Sequence, residues 1–190
     1  MTDFFRNADK LSSDGPTDNL ILGIDFSDQS GQDEPVSVDE VKAYLRIEGW
    51  TESEATEFTY DDVLIAELIT TARQWLQDYG DVSLVPMEVT LQCTNAGELR
   101  LPYGPIDSVT SVTDSTDVDQ TPNVKLVGSI LRLPLGEDMT VTYTTTASRK
   151  SAPLTDIKRI VAALYENRGM TIDQVTDMLP LRTPRKPVIV

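Results

Sequence analysis

Leu101-Pro102-Tyr103-Gly104-Pro105-Ile106-Asp107-Ser108-Val109 lies between two amphipathic helical patterns, and that order decides the fold class. Pro102, Gly104 and Pro105 block helix through this stretch. Before it, Leu64, Ile65, Leu68, Ile69, Ala72, Trp75, Leu76 and Tyr79 recur at spacings of three and four, which predicts a helix over 60–79. Thr59 is the expected cap, Asp61 and Asp62 sit where the helix dipole favours anions, and Gly80 is the expected C′ residue. After it, Leu154, Ile157, Ile160, Val161, Leu164 and Tyr165 form a second apolar face. That pattern predicts a helix over 153–168, opened by Pro153 and ended by Gly169.

Between the helices, residues 82–145 read as strands. Val89, Leu91 and Cys93 alternate, as do Leu99 and Leu101, and then Met139, Val141 and Tyr143. Gly128-Ser129 between Leu126-Val127 and Ile130-Leu131 suits a two-residue hairpin turn. Upstream, Ser37-Val38-Asp39-Glu40 is a capping box with Val36 and Val41 as its hydrophobic staple, and it starts a short helix over 37–47. Downstream, Thr171-Ile172-Asp173-Gln174 is a second box, with Met170 and Val175 as its staple. The expected fold class is α+β and mainly helical: a small bundle of three or four helices with an inserted antiparallel β region and extended N- and C-terminal arms. The expected organisation is an acidic arm over 1–35, a core over 36–169, and a short helix plus a basic proline-rich tail over 170–190.

The arms have their own chemistry. Residues 1–35 are polar and acidic around one apolar island, Leu20-Ile21-Leu22-Gly23-Ile24-Asp25-Phe26. Such an island packs as a short strand on its own domain or on a neighbouring subunit, and Leu20, Ile21, Leu22, Ile24 and Phe26 are read here as an inter-subunit arm. The tail carries three prolines in eight residues, which favours an extended form. It is basic in the middle (Arg182, Arg185, Lys186) and apolar around it (Leu181, Val188, Ile189, Val190), a combination that suits an acidic, partly apolar groove.

Composition narrows the function. The 190 residues hold 39% hydrophobic side chains, below the roughly 45–50% of an average globular chain counted with glycine, and the deficit falls on 1–35 and 113–123. One modest core with long arms is expected. No run of about 18 apolar residues suggests a membrane span, and no basic-then-apolar start suggests a signal peptide. With a single cysteine, these features fit a protein made in a reducing cytoplasm. There is no histidine, which removes the commonest general base and zinc ligand and every Ser–His or Cys–His pair. Cys93 shares the alternation of Val89 and Leu91 and reads as a core thiol. Asp61-Asp62 is explained by its helix start and lacks the spacing of a calcium loop, and Asp117, Asp119 and nearby acids form a loose acidic loop with no Gly turn and no distal Glu. No catalytic, cofactor or metal site is expected.

Charge is unevenly spread over a net −15. Residues 1–148 hold 8 Lys+Arg and 27 Asp+Glu, net −19, whereas residues 149–190 hold 8 Lys+Arg and 4 Asp+Glu, net +4. An acidic body repels nucleic acid, and the basic end is the natural place for a partner.

The segment order resembles the head-to-tail connector (adaptor) proteins of tailed bacteriophages over roughly Val36–Gly169. The matching features are the short helix at 38–47 and the acidic start Asp61-Asp62-Val63-Leu64 of a helix carrying Ala72-Arg73 and ending Tyr79-Gly80. They continue with the Leu-Pro-x-Gly-Pro-Ile-x-Ser-Val-x-Ser-Val stretch from Leu101 to Val112, the strand Val141-Thr142-Tyr143-Thr144, and the closing Tyr165-Glu166-Asn167-Arg168. A Gly-Tyr often found after that strand is replaced by Thr145-Thr146, and both arms lie outside the match. The resemblance implies a structural, non-enzymatic virion protein of the neck, at the head–tail junction, assembled in the host cytoplasm. Such subunits commonly stand twelve to a ring beneath the portal protein, meet themselves and a tail or next neck protein, and extend a channel that double-stranded DNA crosses without specific binding. It places the tail residues named above at the portal. A second reading from a different class is an acidic, nucleic-acid-mimicking binding protein, supported by the net charge alone. A third, a carboxylate-based enzyme, has no constellation to support it.

Overall fold

In the computed structural model the described residues are 21–27, 33–46, 60–94, 97–133 and 138–184. They form four helices and seven strands in two antiparallel sheets, with 39% helix and 29% strand. The chain is therefore mixed α+β, and the expectation of a mainly helical bundle is corrected. The contacts group it into two units. One takes the described residues within 1–32 and 85–148, the other those within 33–84 and 149–186. Each has its own apolar core, where one core was expected.

The sheet unit is built on β1 (Ile21–Phe26), β2 (Glu88–Cys93), β3 (Glu98–Arg100), β4 (Ile106–Asp114), β5 (Lys125–Val127), β6 (Ile130–Arg132) and β7 (Met139–Thr145). Four strands pair in the order β1-β2-β7-β4 and three in the order β3-β6-β5. Val89, Leu91 and Cys93 face the same side as Met139, Val141 and Tyr143, since strand side chains alternate with period two. Tyr143 is fully buried, and its hydroxyl donates to the Pro102 carbonyl at 2.9 Å, which ties the proline-rich stretch to the core. β4 breaks the alternation. Register shifts between Ile106 and Ser108 and between Val109 and Ser111 each add a residue, so Ile106, Val109 and Val112 reach the core at a spacing of three. That spacing hides a nine-residue strand from a period-two reading. Gly128 makes the β5–β6 turn with φ of 64°, a conformation that favours glycine.

The helical unit contains α1 (Val38–Leu45), α2 (Tyr60–Gly80), α3 (Ser151–Glu166) and α4 (Ile172–Met178). Ser37 caps α1 by accepting from the Glu40 amide at 3.1 Å. Arg46 then turns left-handed at φ 53°, so the helix ends at Leu45, short of the expected 47. α2 spans 21 residues, about 30 Å. Ile65, Ile69, Ala72 and Leu76 bury its stripe against Ile157, Ile160, Val161 and Leu164 of α3, with Val41 and Val175 completing the core. α3 opens two residues ahead of Pro153, which still lies in the first turn, where it breaks no helical hydrogen bond. α4 carries the full capping box: Gln174 N–H donates to Thr171 Oγ1, and Thr171 N–H donates to Gln174 Oε1.

The expected cap Thr59 lies outside the described residues. No helix among the described residues is long and apolar enough to cross a membrane.

Candidate functional site

The basic tail leaves the helical unit from a fixed root. Asp156 projects from the buried side of α3 and is fully buried. Its Oδ2 accepts three hydrogen bonds: from Arg182 N–H at 2.8 Å, Thr183 N–H at 2.6 Å and the Thr183 hydroxyl at 2.8 Å. Arg159, one turn on, donates through Nη1 to the Pro180 carbonyl at 2.9 Å and stands 3.7 Å from Asp156 Oδ1. Leu181 packs on the helical core. A carboxylate holding two successive backbone amides sets both position and direction of the chain, and a nearby guanidinium offsets part of the cost of burying it.

Gly80 completes the root. It was expected as the left-handed residue after α2, but Asp81 takes that conformation, at φ 52°. Gly80 instead closes the helix, and a Cβ there would stand 2.8 Å from Thr183 Cγ2. The residue is small because the tail passes over it.

Of the residues assigned to the tail site, Leu181 and Arg182 are thus placed. Arg185, Lys186, Val188, Ile189 and Val190 lie outside the described residues. Of the arm residues, Leu20 also lies outside them, while Ile21–Phe26 form β1 on β2 of the same chain. Ile21 is buried and Ile24 half-buried. Leu22 and Phe26 stay exposed, Phe26 meeting Tyr103 edge-on with ring centroids 5.0 Å apart.

The other singled-out residues have local partners. Trp75 stacks on Tyr79 at 4.7 Å, and its indole N–H donates to Asp173 Oδ1 at 3.0 Å. Lys42 pairs with Asp62. Arg168 lies over the Tyr165 ring and 3.5 Å from Asp61, while Asn167 donates to the Ala163 carbonyl. Burial pushes the Cys93 thiol up to about 11, which keeps it protonated and unreactive. Among the described residues no group of three His, Cys, Asp or Glu side chains could hold a metal ion.

The acidic loop after β4 is organised by Asp114, which the sequence reading passed over for Asp117 and Asp119. Its carboxylate accepts from the Thr116 hydroxyl at 2.7 Å, Gln120 Nε2 at 3.0 Å, Thr116 N–H at 2.9 Å and Val118 N–H at 3.1 Å. Led by the Thr116 hydroxyl, these bonds favour the charged form and lower its pKa from 3.8 to about 2. Hydrogen bonds from Thr121 likewise lower that of Asp119. Because the folded-state pKa is depressed, the Asp114 contribution is complete above the ordinary carboxylate range and disappears as pH falls through about 2. Carbon-detected NMR should find the Asp114 carboxyl titrating near 2, and Asp114→Ala should speed amide exchange at Thr116 and Val118. A midpoint near 4 would contradict this account.

Among the solved structures that share the fold are two of gene transfer agent particles. A chain in a structure described as the neck of an empty gene transfer agent (GTA) particle computed with C6 symmetry superposes with a TM-score of 0.60. It is 14% identical, and the match covers 85% of this chain and 100% of that one. A chain in the virion of a native gene transfer agent particle superposes at 0.57 with 18% identity, covering 85% of this chain and 97% of that one. No protein-family model matches the sequence, and no curated protein matches it.

Proposed function

We propose that this chain is a structural head-to-tail adaptor: a ring subunit that sits beneath the portal of a phage-like particle, extends its DNA channel and presents a platform to the next tail component. The observation that carries the reading is the fold likeness over the full length of a chain from a particle neck. The order of motifs from Val36 to Gly169 supports it independently, because 14–18% identity leaves the two signals nearly separate. A neck computed with C6 symmetry is compatible with six or twelve copies, since a twelve-fold ring contains the six-fold axis. An acidic body suits a channel lining, where fixed anions keep DNA phosphates from adhering. The protein works by shape and contact, without catalysis.

In this reading the tail beyond the Asp156 root enters the portal. Deleting residues 185–190 spares the root and should abolish co-sedimentation with the portal while leaving the unfolding midpoint unchanged. Undiminished binding by the truncated chain would remove the tail from the interface. The strand Ile21–Phe26 serves as the lacing arm if it exchanges between copies. The same strand seated on a neighbour's β2 would reproduce each pairing it makes here. Removing residues 1–27 should then weaken the ring more than the fold.

A further inference from the structure

The outer face of the three-stranded sheet has an unusual composition for so acidic a chain. Leu99 and Leu131 are buried and Leu126 half-buried on one side, which turns two rows outward: Glu98–Arg132–Lys125 and Arg100–Ile130–Val127. The face holds three cations and one anion. Val127 and Ile130 stand side by side, 51% and 41% exposed. Arg132 reaches Glu98 at 2.9 Å, both ends in solvent. Elsewhere among the described residues of 1–148, Arg73 is buried, Lys42 is paired with Asp62 and Arg46 is exposed at the end of α1. Of the four exposed cations among the described residues of 1–148, three therefore lie on this face, around an aliphatic pair.

The complement of that face is acidic and apolar, and α4 offers it. Val175 and Thr176 are the buried side of α4, which turns Asp173, Gln174, Asp177 and Met178 outward. Met178 is 61% exposed, and Ile172–Met178 contains no lysine or arginine. Methionine is the side chain that adapts most readily to a neighbour's shape. We propose that the basic, aliphatic face of β3-β6-β5 on one copy docks on the outward face of α4 on the next copy. The proposal rests on the ring reading and gives it an interface. Made once between each pair of neighbours, a contact between two different patches is head-to-tail and propagates around a ring. Nucleic acid is the poorer occupant, because Val127 and Ile130 give bases no ring to stack on.

The test uses two full-length proteins, V127C and M178C, mixed under conditions where the unmodified chain assembles and then oxidised; the native thiol at Cys93 is buried. The mixed disulfide should form at least about tenfold faster than either same-variant disulfide, because only the mixed pair meets in a head-to-tail contact. Arg132→Glu should suppress it, and Asp177→Lys in the opposing copy should restore it. Equal rates for mixed and same-variant pairs in a sample that shows rings by electron microscopy would overturn the interface and leave the ring standing. A sample with neither rings nor mixed disulfide, alone or with portal, would overturn both. Retardation of a short DNA duplex that is abolished by Arg100→Glu with Arg132→Glu would overturn the proposal in favour of nucleic acid.

Discussion

Asp156→Ala should cost about 2–4 kcal/mol of unfolding free energy, because it strands a buried amide, a part-buried amide and a buried hydroxyl that share one acceptor. The loss is capped by peeling: once the tail detaches, water satisfies those donors. The second readout is therefore the sharper one. Trypsin should cleave after Arg182 rapidly in the variant and slowly in the parent chain. Gly80→Ala attacks the same root from the other side, pressing a methyl on Thr183 Cγ2, and should give the same cleavage at a smaller cost of about 1–2 kcal/mol. If the adaptor reading holds, both variants also lose portal docking, because the tail no longer leaves from a fixed point. Parent-like cleavage in Asp156→Ala would show that the three hydrogen bonds do not hold the tail.

Arg73→Ala should cost about 3 kcal/mol, which urea denaturation would detect as a lower midpoint with an unchanged slope. The guanidinium is buried on α2, and its Nε donates to Glu34 Oε2 at 2.8 Å, while Thr70 Oγ1 donates to Glu34 Oε1 at 2.9 Å. Together they pin the chain just before α1. The pair is asymmetric: Glu34 keeps about a quarter of its side chain in solvent, whereas Arg73 keeps almost none. Glu34→Ala takes this carboxylate from a buried cation, so it should cost about as much as Arg73→Ala, roughly 3 kcal/mol, and more than Glu34→Gln. A loss at Glu34→Ala no larger than that of an exposed ion pair, about 0.5 kcal/mol, would contradict this placement.

The helices were legible because each signal was local and repeated. The stripe from Leu64 to Leu76, the box at Thr171 and the hairpin at Gly128-Ser129 can each be read without knowing what they touch. β4 was legible only as part of the strand region 82–145, not as a nine-residue strand of its own, because its two register shifts replace alternation with a spacing of three. Counting it and β1 with β2 and β7 turns an inserted β region into a unit with its own core, which is why the mainly helical expectation failed. The root of the tail was only partly legible. A carboxylate at position 156, on the stripe of Pro153, Ile157 and Ile160, is a buried-acid signal in hindsight, but its partners lie 26 and 27 residues away. Glycine at position 80 gave the same sequence signal as a helix C′, and only the approach of Thr183 separates the two roles.

Electron microscopy of the purified chain, alone and mixed with a candidate portal protein from its own source, tests the adaptor account most directly. The account predicts a closed ring of six-fold or twelve-fold symmetry, alone or formed only on the portal, with the C-terminal tail at the portal side. A two-fold dimer or a monomer that ignores the portal, and that instead forms a salt-sensitive complex with a basic nucleic-acid-binding protein, would contradict it and make the net charge of −15 the leading clue to function.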